Sequence, residues 1–148
     1  MILVSACLVG KFCRYDGLTN KIEDLAKQKE NFILCCPEEL GNLPTPRPPA
    51  EIINATAKDV LMGNGKVLTI NDVDVTEAFL VGAYKTLDLA KTHDVKVAIL
   101  KESSPSCGSC FVYDGTFKGI KQPGEGLTTA LLRKNGITVY SEKNYKNR

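Results

Sequence analysis

The sequence predicts an α/β fold with a mainly parallel sheet, and three observations carry that prediction. Short apolar runs alternate with stretches of helical spacing along the chain. Several runs are apolar throughout, as in strands covered by helices on both faces, which gives a three-layer, Rossmann-like arrangement. The length, 148 residues with 43% hydrophobic and 24% charged side chains, is that of one domain with a sizeable core. The whole chain, 1–148, is read as that single domain, with a core over about residues 2–142 and a polar, fraying tail at 143–148.

The first run, Ile2 to Ala6, reads as a buried strand, and Gly10, Asp16, Gly17 and Asn20 supply turn chemistry after it. A polar helix is expected from Ile22 to Glu30, before the next run, Asn31-Phe-Ile-Leu-Cys35. Strand, loop, helix and strand then make one right-handed crossover. Residues 37–51 carry Pro37, Pro44, Pro46, Pro48 and Pro49 and are expected to be ordered loop, because proline brings no backbone donor. A small β-hairpin insertion is expected where Lys58–Met62 and Lys66–Ile70 flank Gly63-Asn64-Gly65. Asp74-Val-Thr-Glu77 is a capping pattern for a helix whose apolar residues Phe79, Leu80, Ala83 and Leu87 lead on to Thr92. The lone His93 falls at the end of that helix. Val95–Leu100 is the clearest central strand, and a loop from Lys101 to Ser109 follows it. Phe111–Phe117 is strand-like and contains a Tyr113-Asp-Gly115 turn. Leu127–Asn135 reads as a helix closed by Gly136, and Ile137–Tyr140 as the last strand.

Nineteen Lys and Arg against seventeen Asp and Glu leave a formal net charge of +2, too little to coat a polyanion. No apolar run reaches about 18 residues, so no membrane-spanning helix is expected. The start lacks the basic and long apolar stretches of a secretion signal, so the expected compartment is the cytoplasm. Six Cys are therefore expected as thiols, used for packing, metal binding or redox chemistry. With one His, a bound metal would be held largely by sulfur.

Position separates the six. Cys7, Cys36 and Cys107 each follow the C-terminal end of an apolar strand, the edge where open α/β sheets collect their sites. Three thiolates meeting there would make a soft-metal site with an open position, as catalysis requires. Cys13, Cys35 and Cys110 stand in turn sequences or beside Cys36 and are read as packing residues. Cys107-Gly-Ser-Cys110 is also a CxxC, so a thiol redox protein is an alternative. The strand-like Phe111-Val-Tyr weakens it, because redox motifs of this kind open a helix. A zinc- or cluster-binding module without catalysis is the other alternative. Glu38, just after Cys36 and Pro37, is a candidate general acid or base, and Ser104 a candidate for orienting a substrate or relaying a proton. Arg47 is a candidate substrate or anion contact, with a structural salt bridge as the alternative. Asp16 is most simply a turn residue and is kept as a candidate substrate contact.

Four blocks together resemble the thiouracil desulfidase family. They are Val4-Ser-Ala-Cys-Leu-Val-Gly10 with Arg14-Tyr-Asp-Gly17, Cys36-Pro-Glu38, Gly41-Asn-Leu-Pro-Thr-Pro-Arg47, and Ser104-Pro-Ser-Cys-Gly108 followed by Tyr113-Asp-Gly115. The resemblance runs from Leu3 to Glu142 and rests on four blocks in the right order. It implies a [4Fe-4S] cluster on Cys7, Cys36 and Cys107 with one iron left open, and chemistry assigned to Glu38 and Ser104. It implies non-redox carbon–sulfur hydrolysis of a thiolated pyrimidine, a 2-thiouracil-like base or nucleoside, to uracil and sulfide. Some relatives carry a further domain and act on thiolated tRNA. The near-neutral charge of this chain and its lack of a basic extension favour a small base or nucleoside over tRNA, with no membrane and no stable protein partner expected.

Overall fold

A computed structural model describes residues 1–147. The chain runs β1 (Ile2–Ser5), α1 (Glu23–Ala26), β2 (Phe32–Cys35), α2 (Pro37–Leu40), β3 (Ala50–Ile53), α3 (Ala57–Leu61) and β4 (Lys66–Thr69). It continues with α4 (Thr76–Thr92), β5 (Val97–Leu100), β6 (Phe111–Tyr113), β7 (Lys121–Pro123), α5 (Leu127–Lys134) and β8 (Thr138–Ser141). Single 3-10 turns occupy Ala6–Val9, Lys29–Asn31 and Tyr145–Asn147. The fold is α/β, as expected. All pairings in the central sheet are parallel, in the order β2-β1-β5-β8.

Alternation along the strands builds a core on each face of this sheet. Leu3, Ala98, Leu100 and Val139 pack with Phe79, Ala83 and Leu87 of α4 and with Leu127 and Leu131 of α5. Their neighbours Val4 and Ile99 pack instead with Leu8, Leu25 and Tyr145. Leu3, Val4 and Ile99 are wholly buried, each stabilising the fold by about 1.5–3 kcal/mol. The strand order reverses direction between β1 and β5, and at such a switch point the chains leaving the sheet diverge and open a crevice.

Two close approaches position what lines the crevice. Helices α2 and α4 cross at glycine on both sides. A Cβ on Gly41 would run into the Ala78 carbonyl, and one on Gly82 into the Pro37 carbonyl. Absence of side chains at both positions lets the backbones meet and sets α2 against the long α4. The loop after β5 is wound around one buried carboxylate. Glu102 accepts from the N–H groups of Ser103 (3.0 Å), Ser109 (2.8 Å), Cys110 (3.1 Å) and Phe111 (3.2 Å), and from the Ser109 hydroxyl (2.8 Å). Burial opposes ionisation, but the Ser109 hydroxyl and the backbone donors outweigh it and hold the pKa down at about 2. The far side of the loop docks on the start of α5, where Thr129 Oγ1 donates to the Cys107 carbonyl at 2.9 Å and Leu127 N–H to the Pro105 carbonyl at 2.8 Å.

Several expectations are corrected. Lys58–Met62 is not a strand, because Ala57–Leu61 is helix α3. The Thr56 hydroxyl accepts from Asp59 N–H (3.1 Å) and the Asp59 carboxylate from Thr56 N–H (2.9 Å), a capping box that local apolar pattern does not reveal. The partner of β4 in the hairpin is β3, with Ala50 opposite Thr69 and Ile52 opposite Val67. Residues 37–51 are thus not all loop. Pro37 opens α2, where its missing N–H costs nothing, and Pro48 and Pro49 end just before β3. The helix expected over Ile22–Glu30 shrinks to α1 and one 3-10 turn, since Leu25 alone of α1 is buried. Of Phe111–Phe117 only Phe111–Tyr113 is strand, and it pairs with Lys121–Pro123, three exposed residues with no strand pattern. The tail does not fray through its whole length, because Tyr145 is 7% exposed and closes the second core. Arg148, the end of that tail, lies outside the described residues.

Gly82→Ala should lower stability by about 1–3 kcal/mol in urea unfolding, although Ala is the better helix former by ~1 kcal/mol, because overpacking the crossing outweighs propensity. Glu102→Gln should lower stability by about 1–3 kcal/mol at neutral pH. The wild-type carboxylate contributes fully above its ordinary value of 4.5, and its contribution is lost as pH falls from there toward about 2. Urea midpoints measured across this window should fall for the wild type and change less for Glu102→Gln.

Candidate active site

A cavity of about 630 Å³ opens beyond the C-terminal ends of β1, β2 and β5. Cys7, Cys36, Cys107, Glu38, Ser104 and Arg47, all singled out from the sequence, line it together with Cys13. Each reaches the cavity for a local reason. Cys7 sits in the 3-10 turn that ends β1, and its carbonyl accepts from Asn20 N–H (3.1 Å) and the Thr19 hydroxyl (2.9 Å). Cys36 caps α2 from extended backbone, where a proline must follow a residue outside the helical region. Cys107 N–H donates to Ser104 Oγ at 2.7 Å, so the serine holds the cysteine's turn and keeps its own O–H to donate.

Glu38 and Arg47 form a mostly shielded ion pair. Arg47 Nη2 lies 3.4 Å from Glu38 Oε2, with the side chains 7% and 14% exposed. The same guanidinium donates to the Cys13 carbonyl (3.1 Å), the Thr45 hydroxyl (3.0 Å) and the Pro44 carbonyl (3.3 Å). One cation thus ties the Cys13 loop, the proline-rich loop and the carboxylate together. A planar, permanently charged fork suits that task as an ammonium would not.

The thiols are electrically unequal. A hydrogen bond from the Cys13 thiol holds Cys7 and Cys36 below the ordinary thiol value, against the opposing effect of burial. Cys13, whose proton those bonds hold, is pushed up by Cys36, Cys7 and burial. Burial pushes Cys107 up, and the negative charge of Glu38 adds to it. Glu38 acts in the same direction on Cys7 and Cys36, so one carboxylate is felt by all three strand-end cysteines. Asn20 Nδ2 donates to Cys7 Sγ at 3.7 Å. The donor set is sulfur without histidine, which suits a soft metal group and not a hard cation.

Several residues keep different company from what their place in the chain suggests, and the reasons are tertiary. Cys13, read as packing, is buried, but its thiol lies against Cys7 and Cys36 on the cavity wall. Asp16 is not among the lining residues. It pairs with Arg14 at 2.8 Å, Arg14 donates to Asn20 Oδ1 at 3.1 Å, and Asn20 reaches Cys7, so Asp16 is linked to Cys7 only through two other side chains. Cys107 and Cys110 line different cavities, and Cys110 is exposed. That geometry does not present the pair as a dithiol. Buried Cys35 packs in the main core and also borders the cavity. Asn20 and Glu102 were missed by sequence reasoning. An acid separated from an apolar strand by one residue and placed before a Ser-rich loop was the available signal for Glu102. Asn20, in a turn-rich stretch, carried none. Among the described residues, no helix is long and apolar enough to cross a membrane.

Comparison with known proteins places the chain among relatives. The family model described as 2-thiouracil desulfurase matches residues 2–144. The uncharacterized protein YbbK of Bacillus subtilis (strain 168) is 51% identical over 145 residues, which is 96% of this chain and 95% of that protein. The solved structure of the [4Fe-4S]-dependent thiouracil desulfidase TudS is 43% identical, superposes with a TM-score of 0.87, and covers 99% of this chain and 93% of that one. With a strand-end cysteine cavity and a family match over nearly its full length, the chain belongs to the 2-thiouracil desulfurase family.

Proposed function

We propose that the protein is an iron–sulfur-dependent desulfidase that converts a thiolated pyrimidine, a 2-thiouracil-like base or nucleoside, to uracil and sulfide by non-redox hydrolysis. The observation that carries this reading is the convergence of Cys7, Cys36, Cys107, Glu38 and Ser104 on one cavity at the switch point of the sheet. The likeness to the [4Fe-4S]-dependent TudS supports it.

Cys7, Cys36 and Cys107 would hold a [4Fe-4S] cluster, and when bound it supplies an open iron that attracts the soft thiocarbonyl sulfur and polarises the carbon–sulfur bond. The protein's own residues handle position and protons. Largely apolar walls receive a flat, uncharged pyrimidine ring. Glu38 takes a proton from the water that attacks the thiocarbonyl carbon, and as the carbon–sulfur bond breaks both water protons leave with the sulfur as hydrogen sulfide. Arg47 holds the carboxylate in place, with its Nη2 3.4 Å from Glu38 Oε2. Ser104 donates its O–H toward the reacting edge while its oxygen keeps Cys107 in place. Thiopyrimidine and water give pyrimidine and hydrogen sulfide, so electrons balance without a reductant. A charge of +2 fits a small neutral substrate, and tRNA is not favoured.

Anaerobic reconstitution should load iron and acid-labile sulfide, and the loaded protein should release sulfide from 2-thiouracil or its nucleoside. Cys7→Ser, Cys36→Ser and Cys107→Ser should each fail to retain iron. Glu38→Gln should retain it and lose about 10²–10⁴ in kcat, the range of a lost general acid–base group. Zinc without acid-labile sulfide in the reconstituted protein would refute the cofactor assignment. A loaded cluster that releases sulfide only from thiolated tRNA would refute the substrate.

A further inference from the structure

We infer that Cys13, Cys36 and Glu39 form a site for a thiophilic divalent cation of the zinc class, one that shares Cys36 with the proposed cluster ligands. One donor atom from each of the three lies within 4.8 Å of the other two. Two thiolates and a carboxylate are ordinary zinc ligands, and three protein ligands leave a fourth position for water. Zinc bonds of about 2.0–2.3 Å put tetrahedral ligands roughly 3.5 Å apart, so the donors draw in slightly on binding.

The surroundings orient these donors. Glu39 Oε2 accepts from the Thr45 hydroxyl at 2.7 Å, and Oε1 faces Lys11 Nζ at 3.6 Å. The Cys13 carbonyl is held by Arg47 at 3.1 Å, and the Cys36 thiol donates to that carbonyl at 3.7 Å. Partners of this kind fix the direction of metal ligands and raise affinity. Cys13 is buried, whereas the Glu39 side chain is 31% exposed, which gives a cation a way in from solvent. Binding releases the two thiol protons to solvent and changes no oxidation state. Neither Cys13 nor Glu39 has a part in the proposed desulfuration.

Cys36 belongs to both donor sets. On the reading given under Proposed function, on which this consequence rests, zinc and the cluster exclude one another. The cation site would then govern how much protein can be loaded with iron.

The test is an anaerobic titration of reduced, cluster-free protein with Co²⁺, followed by displacement with Zn²⁺. Thiolate-to-cobalt charge-transfer absorption should saturate at one Co²⁺ per chain and vanish on adding one Zn²⁺. Cys13→Ser and Glu39→Gln should each weaken cobalt binding about tenfold or more, while Cys107→Ser should stay within about threefold of the wild type. Under cluster reconstitution the order should reverse, with Cys13→Ser taking up iron and acid-labile sulfide and Cys107→Ser failing to. Circular dichroism of each variant checks that it is folded. The inference is overturned if wild-type protein shows no thiolate charge-transfer band with Co²⁺. It is also overturned if Cys107→Ser abolishes that band while Cys13→Ser leaves it intact. Failure of wild-type protein to take up iron would sink the desulfidase reading and leave the cobalt result to decide the cation site by itself.

Discussion

The carboxylate of Glu102 holds the site together. Four backbone N–H groups and one hydroxyl converge on it, and the loop that carries Cys107 and Ser104 has no regular secondary structure to satisfy those donors otherwise. Burying a charge is unfavourable unless its lone pairs are filled, and burying backbone donors is unfavourable unless they find acceptors. Here each need meets the other. The loop is thereby as well determined as a strand or helix, yet it can turn a cysteine thiol into a crevice that no strand reaches.

The same logic governs the opposite wall. The contact between α2 and α4 at Gly41 and Gly82 sets the backbone of α2, and with it the start of the helix that carries Cys36, Glu38 and Glu39. Arg47 then joins that wall to the Cys13 loop with four hydrogen bonds from one guanidinium. A three-wall cavity results: the β1 turn, the β5 loop and α2 each bring cysteine to it. Its electrostatics follow from the mixture of groups. Cys13 shares its proton with two neighbours and lowers both, while Glu38 acts on every strand-end thiol in the other direction. A donor set with this much sulfur and a carboxylate at its rim serves more than one soft metal. On the two proposals made above, the zinc-class site and the cluster site would share Cys36.

Much of this was legible in the chain. The three strand-end cysteines could be picked out because strand termini are readable from apolar runs, and in parallel α/β sheets those termini face one crevice. Glu38 and Ser104 followed by adjacency. The error over Lys58–Met62 arose because a glycine-rich turn between two apolar stretches looks the same whether a helix or a strand precedes it. The capping box at Thr56 decided it. The tail misled for a different reason: one aromatic in a polar stretch, Tyr145, finds a place in the core only after β1, α1 and β5 have built one.

Periodicity and residues close together in the chain were enough for the alternation of strands and helices, the strand-end placement of Cys7, Cys36 and Cys107, and the resemblance to the family. The company those residues keep had to wait for folding. Cys13 against Cys7 and Cys36, Arg47 on Glu38, and Glu102 inside its own loop are all contacts that the folded chain makes. Side-chain direction and burial set such contacts, and neither is expressed in spacing along the chain.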